Sequence, residues 1–262
     1  TVYEIEDEVK SLVDLGVVEY TLLGQNVNAF HGSDASGHSH SLASLIDKVS
    51  QINGVERITY STSHPVNMTD DLIELHGTNH KLMPFLHLPV QSGSDKILKL
   101  MNRKHTRDFY FDIIEKVRKA KPNIALSSDF IIGFPGETQK DFEDTLDLIR
   151  RIKYMNSYSF KYSPRPGTPA ANKEEINKEI LDERLAITQE LLDEQQMEYN
   201  RNFITKTVKV LIDGAGKLEG QIKGKSEFNQ SVALEGEENH IGQIIPVQIK
   251  DVKMHSLIGE RA

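Results

Sequence analysis

Asp129 is the residue whose placement in this sequence most demands a chemical explanation. It lies in Leu126-Ser127-Ser128-Asp129-Phe130-Ile131-Ile132, an apolar run of the kind that forms a strand covered on both faces. A carboxylate there is costly unless it is paired, hydrogen-bonded or turned into a ligand pocket. An internal bond to a neighbouring loop would satisfy it too. Directly after the run, Gly133-Phe134-Pro135-Gly136-Glu137 joins strand to helix, so its backbone can approach a ligand and offer N–H donors. A plain tight turn reads the same way, with Glu137 favouring the helix dipole. Gln25, Asn26, Gln91 and Ser92 close two other strand-like runs with uncharged donors and acceptors. Such groups suit a polar organic ligand better than acid–base catalysis, which needs titratable side chains. Helix capping accounts for Ser92 and Ser94 as well. Lys96, Lys99, Arg103, Lys104 and Arg107 make a local basic stretch, suited to phosphate or to a solvated helix face. His31, His38 and His40 come with no carboxylate or cysteine at metal-ligand spacing. They read as a mobile surface loop, and no metal site is expected.

Composition narrows the chemistry further. The chain has 262 residues, with 31 Lys and Arg against 39 Asp and Glu, a formal net charge of -8. A global cationic field for nucleic acid is excluded, whereas a local patch is not. Cysteine is absent, so disulfides, thiolate nucleophiles, Cys-ligated zinc and Cys-ligated iron–sulfur clusters cannot form on this chain alone. No carboxylate pair suggests glycosidase or metal-hydrolase chemistry. No apolar run approaches the roughly 18 residues of a membrane span, and no signal pattern opens the chain. A cytoplasmic protein without a membrane partner is expected.

The elements that must position these residues follow from periodicity. Helical patterns at residues 2–15, 42–52, 70–76, 95–101, 106–120 and 137–152 alternate with strand patterns at 17–23, 55–60, 82–90, 123–132 and 157–162. That alternation predicts an α/β fold of parallel βαβ units with right-handed crossovers. Five strands are too few for a closed eight-stranded barrel, and the chain opens on a helix. In such folds chemistry gathers beyond the carboxyl ends of the strands. After the Pro164-to-Pro169 segment, residues 174–201 read as one long charged helix whose role is a packed connector. From Phe203 onward, short period-two strands at 207–212, 218–223, 230–234, 244–249 and 255–258 predict a small five-stranded barrel of OB type.

In matching order, Leu22-Leu23-Gly24-Gln25-Asn26-Val27-Asn28-Ala29, Thr62-Ser63-His64-Pro65 and His87-Leu88-Pro89-Val90-Gln91-Ser92-Gly93-Ser94-Asp95 resemble the radical-SAM methylthiotransferases. Ser127-to-Thr138 and Tyr162-to-Ala170 continue the match, and the tail from about Phe203 is similar to a TRAM domain. The resemblance covers nearly the whole chain. It is nearest the branch that acts on N6-isopentenyladenosine beside the tRNA anticodon. It implies a partial, open radical-SAM-type parallel β/α barrel lacking its first strand (residues 1–170), a connecting helix (171–202) and an OB-like TRAM barrel (203–262).

The resemblance also implies S-adenosylmethionine (SAM) and two [4Fe–4S] clusters in the full-length enzyme, with tRNA, through its anticodon stem-loop, as partner. Gln25, Asn26, Gln91, Ser92, Ser128 and Asp129 become candidate SAM- or substrate-pocket residues, with Gly133, Gly136 and Ser163 flanking the adenine end. Lys96, Arg103, Lys104 and Arg107 become candidate RNA contacts. The tail carries eight basic and eight acidic residues from 203 onward, so only a local face around Lys217, Lys223 and Lys225 can contribute to RNA binding. The family's CxxxCxxC cluster loop is missing. The chain is therefore expected to be the C-terminal part of such an enzyme, with no catalytic side chain of its own and with a cluster-bearing N-terminal portion as partner. The alternatives are a methylthiotransferase acting on threonylcarbamoyl-adenosine tRNA or on a ribosomal-protein aspartate. A non-catalytic RNA-binding remnant, or half of a split enzyme, is the third.

Overall fold

The structure is a computed structural model that describes residues 1–262. Thr1 opens it with a capping box: its side chain accepts from the Glu4 N–H while the Glu4 carboxylate reaches back, starting α1 (Val2–Asp14). There follow β1 (Glu19–Leu22), a hairpin of β2 (His31–Ser33) and β3 (Ser39–Ser41), α2 (Leu42–Ser50), β4 (Arg57–Tyr60) and α3 (Asp70–Thr78). Next come β5 (Phe85–His87), α4 (Asp95–Leu100), α5 (Arg107–Ala120), β6 (Ala125–Ile132), α6 (Gln139–Ile152), β7 (Asn156–Lys161) and the long α7 (Lys178–Arg201). The chain ends on β8 (Thr207–Ala215), β9 (Gln221–Ser226), β10 (Ser231–Glu235), β11 (Ile244–Lys253) and β12 (Ser256–Arg261).

Strands β1 and β4 pair in parallel, as do β5, β6 and β7. The two sets are joined where Ile58 N–H donates to the Lys81 carbonyl and Met83 N–H to the Ile58 carbonyl, both at 2.8 Å. The five strands thus lie side by side in chain order, an open arc with β1 and β7 at its edges. The expected incomplete barrel is borne out. Alternation along the strands turns Tyr20, Ile58, Tyr60, Leu86, Phe130 and Ile132 into the core beneath the helices. Glu19, Thr21, Arg57, Thr59, His87, Ser127 and Asp129 take the opposite, lumenal phase.

Two local expectations need correction. The strand expected over 82–90 is laddered only at Phe85–His87, because Pro84 and Pro89 remove donors on either side. The loop read as mobile is the β2–β3 hairpin, braced by Asp34, whose carboxylate accepts from the Ser36 and His38 N–H groups at 2.9 and 3.0 Å. Helix α7 is packed, as expected of it. Gln195 accepts from Tyr154 N–H and donates to the Ile149 carbonyl, each at 2.9 Å.

The last five strands close into a barrel in the order β10-β12-β11-β8-β9. Its core of Val210, Ile222, Val232, Val247 and Leu257 merges with Ala125 and Met155, while Phe85 packs against it, at the amino-terminal ends of β5, β6 and β7. Buried Arg57 fastens the junction, donating to the carbonyls of Lys209 at 2.7 Å and Lys225 at 3.2 Å. The small barrel therefore plugs the arc from below and leaves its carboxyl end open.

Tyr60 and His76 form a fully buried pair at 2.7 Å beneath the sheet. Burial pushes the imidazole down to about 4, so it is neutral when folded, whereas the unfolded chain takes up a proton below about pH 6.5. Stability is expected to fall as pH drops from about 6.5 towards 4, reaching a loss of about 2 kcal/mol by about pH 5. Urea midpoints compared across that window should show the loss in the wild type. They should show a flatter acid limb in His76→Gln, which keeps an acceptor for Tyr60 without titrating.

Candidate functional site

A cavity of about 880 Å³ opens where the carboxyl ends of β6 and β7 meet the loops that follow β5 and α4. Its polar lining comes from Gln91, Arg103, Asp129, Tyr162, Ser163 and Arg165, and its apolar lining from Ile131, Phe134 and Phe160. Asp129 sits in lumenal phase on β6, its carboxylate 3.6 Å from His87 Nε2. His87 in turn bonds Ser127 Oγ through Nδ1 at 2.9 Å. Gln91 is held in the left-handed region, at φ +75°. Its N–H donates to the Asp129 carbonyl and its own carbonyl accepts from Ile131, both at 3.0 Å, so the strained residue is fixed by β6.

Arg103 reaches the cavity half-buried and without a carboxylate at ion-pair distance. Burial pulls its pKa down and the charge of Asp129 pushes it back up. Behind it His105 is buried with no partner for either ring nitrogen. Burial, with the charges of His64 and Arg103, holds His105 at about 4, so it is neutral at pH 7. The His64 ring meets it edge-on at 5.6 Å. The Tyr162 hydroxyl is likewise buried and unpartnered beside the cavity. Sequence reasoning passed over His87, His105 and Tyr162 as site residues. For His87 the signal was present, since it shares the period-two phase of Gln91.

The other candidates divide by location. Ser128 lies on the opposite face of β6, its hydroxyl donating to the Leu88 carbonyl at 3.1 Å and accepting from Val90 N–H at 3.0 Å. Ser92 is buried against α6, 3.3 Å from Thr145 Oγ1. Neither reaches the cavity. Gln25 is exposed at the end of β1, and Asn26 bonds Asn67 at 2.9 Å, both away from the cavity lining. Gly133 and Gly136 make a left-handed turn, φ +77° and +87°. Glu137 closes that turn by accepting from Gly133 N–H at 3.3 Å and from Arg184 at 2.8 Å.

A model of the radical SAM superfamily matches residues 1–149, and a TRAM-domain model matches residues 201–261. The chain belongs to the radical SAM superfamily. Over 261 residues, 99% of its length, it is 53% identical to the tRNA-2-methylthio-N(6)-dimethylallyladenosine synthase of Rickettsia felis. Against that of Rickettsia akari it is 54% identical. It spans 59% of the length of these relatives. Among solved structures, the radical S-adenosylmethionine methyltransferase TsrM of Kitasatospora setae superimposes with a TM-score of 0.50 at 13% identity. That match covers 65% of this chain and 33% of the other; it bears on the fold alone.

For a radical SAM protein the donor set of the cavity fits SAM. Ile131 and Phe134 offer an apolar wall for a purine, and the orphaned Tyr162 hydroxyl lacks a partner that a nucleoside would provide. Asp129 offers a negative charge for the ammonium group of an amino-acid zwitterion. A thiolate-ligated cluster does not fit this chain, which has no cysteine.

The basic stretch is largely spoken for. Lys96 donates to Asp141 at 2.7 Å and to the Gly136 carbonyl at 2.8 Å. Arg107 is held by Asp144 and Asp147. Lys104 bonds Asn102 at 2.8 Å on the surface. On the small barrel Lys223 and Lys225 share one face of β9, with Lys217 in the preceding turn.

Proposed function

We propose that this chain forms the SAM- and RNA-binding portion of a tRNA methylthiotransferase, which adds a 2-methylthio group to N6-isopentenyladenosine next to the anticodon. The carrying observation is identity above half, sustained over 99% of the chain, to proteins bearing that activity in their names. When bound, SAM supplies the adenosyl group that abstracts hydrogen and the methyl group that is transferred. Gln91, Asp129, Ser163 and the Tyr162 hydroxyl would hold and orient it. Ile131 and Phe134 would exclude water from the purine face. His87 positions Asp129 from below. Cluster ligands come from cysteines outside this chain. Lys217, Lys223 and Lys225, with Lys104 and Arg103 at the opposite end, would contact tRNA phosphates in the cytoplasm.

The test is to express a longer reading frame containing this segment in a host lacking the modification, and to analyse its tRNA by nucleoside mass spectrometry. A 2-methylthio-isopentenyladenosine peak is expected. Unmodified tRNA, or the methylthio group on threonylcarbamoyl-adenosine, would overturn the assignment. In the same protein Asp129→Ala should lower turnover on the order of a hundredfold with iron content near normal. Normal turnover in that variant returns Asp129 to a purely structural role.

A further inference from the structure

We propose that Tyr158 and Phe160 form a stacking platform for unpaired RNA bases beside the cavity. The inference rests on the RNA-substrate reading above and names the surface that would grip the bases. Strand β7 pairs with β6 on one side and with no strand on the other. Tyr158 and Phe160 stand two residues apart, hence on one face, and are 52% and 54% exposed. The register sets them beside Asp129 and Ile131, and Phe160 itself lines the cavity. Two large rings bared side by side on an ordered strand mark a surface meant to be covered.

The surroundings decide what covers it. Arg103 and Arg165 line the same cavity, neither within ion-pair distance of a carboxylate, whereas Lys161 is held by Asp182. Flat rings flanked by free guanidinium groups match nucleobase planes joined by phosphates. An apolar peptide would cover the rings but strip water from the arginines without supplying counter-charge. Duplex RNA hides its base faces, so the platform selects loops over helices.

The sequence contains no tryptophan, so Phe160→Trp installs a single fluorescent reporter. A short RNA hairpin with a loop of unpaired adenosines should quench that indole, and the same strand annealed to its complement should not. Tyr158→Ser combined with Phe160→Ser should weaken hairpin binding by about tenfold or more. The slope of affinity against salt should stay unchanged, because stacking releases no counterions. Both rings are exposed, so the urea midpoint of the double variant should match the wild type. Unchanged hairpin affinity in that variant overturns the platform and leaves the RNA reading standing. A wild-type chain that binds no RNA overturns both. A wild-type dimer that the double substitution converts to monomer, with no quenching by RNA, assigns the face to a second copy and also overturns the platform.

Discussion

Arg184→Met is expected to cost about 3–5 kcal/mol of stability, the range for removing one partner of a buried ion pair. Arg184 and Glu137 are both nearly inaccessible, at 8% and 1% of their side-chain surface, with 2.8 Å between Nη1 and Oε1. The guanidinium also donates to Gln139 at 3.3 Å and lies 5.3 Å over the Phe142 ring. Removing it strands a carboxylate that burial already pushes upward against the opposing pull of Arg184. The variant should therefore respond to pH with a definite sign. With its carboxyl raised further, Glu137 would be protonated when folded and ionised when unfolded over a wider window. The deficit relative to wild type should then shrink towards about pH 4.5, grow as pH rises towards the variant's raised folded pKa, and level off above it. Glu137→Gln in the Arg184→Met background should recover part of the loss, since it keeps an acceptor for Gly133 N–H and removes the buried charge. Urea unfolding of the wild type and the two variants across pH checks all of this. A deficit that is small, or independent of pH, would mean that water reaches the pair.

The same residues show how far the sequence could be read. Periodicity located the helices and strands because each buries one face, and it located the second barrel because its strands alternate cleanly. Asp129 was legible as a residue of the cavity lining, since a carboxylate in an apolar strand advertises its cost. Gln91 was legible too, being in lumenal phase at a strand end. Ser92 and Ser128 were grouped with them although each is the immediate neighbour of a lumenal residue, and period-two alternation already turns it to the opposite face. The structure puts Ser128 behind the sheet, bonded to Leu88 and Val90. Glu137 looked like a helix-dipole residue because its partner Arg184 lies 47 residues away. The basic stretch misled in the same manner. Asp141, Asp144 and Asp147, which hold Lys96 and Arg107, come from α6, and no local pattern couples α4 and α5 to it. His105 gave no signal at all, since an orphaned imidazole is defined by what fails to surround it.

Gly93→Ala should be among the most damaging single-methyl additions in the chain, costing about 3 kcal/mol, the upper end for overpacking. The Gln91-Ser92-Gly93-Ser94 segment is a clamp on α6 with only its first residue turned to the cavity. Gly93 N–H donates to Thr145 Oγ1 at 3.0 Å, and Ser94 Oγ donates to Asp141 at 2.7 Å. Burial works against the charge on Asp141, yet donors from Lys96, Ser94 and Thr138 hold it well below the ordinary carboxylate range. A Cβ at Gly93 would sit 2.6 Å from Thr145 Cα and 2.8 Å from the Asp144 carbonyl carbon. Those are backbone atoms of a helix, so relief requires moving α6 or the loop as a unit. Gly37 provides the contrast. It lies in the β2–β3 turn at φ +81°, and a methyl there would meet nothing within 4 Å, so Gly37→Ala should cost only about 1 kcal/mol of backbone strain. Denaturant midpoints of the two variants measure this difference. Because the clamp begins two residues after the left-handed turn at Gln91, Gly93→Ala should displace Gln91 and weaken SAM binding in the longer protein even where it remains folded, whereas Gly37→Ala should not. Equal, small effects from both substitutions would show that the loop can lift from α6, and that Gln91 is positioned by β6 alone.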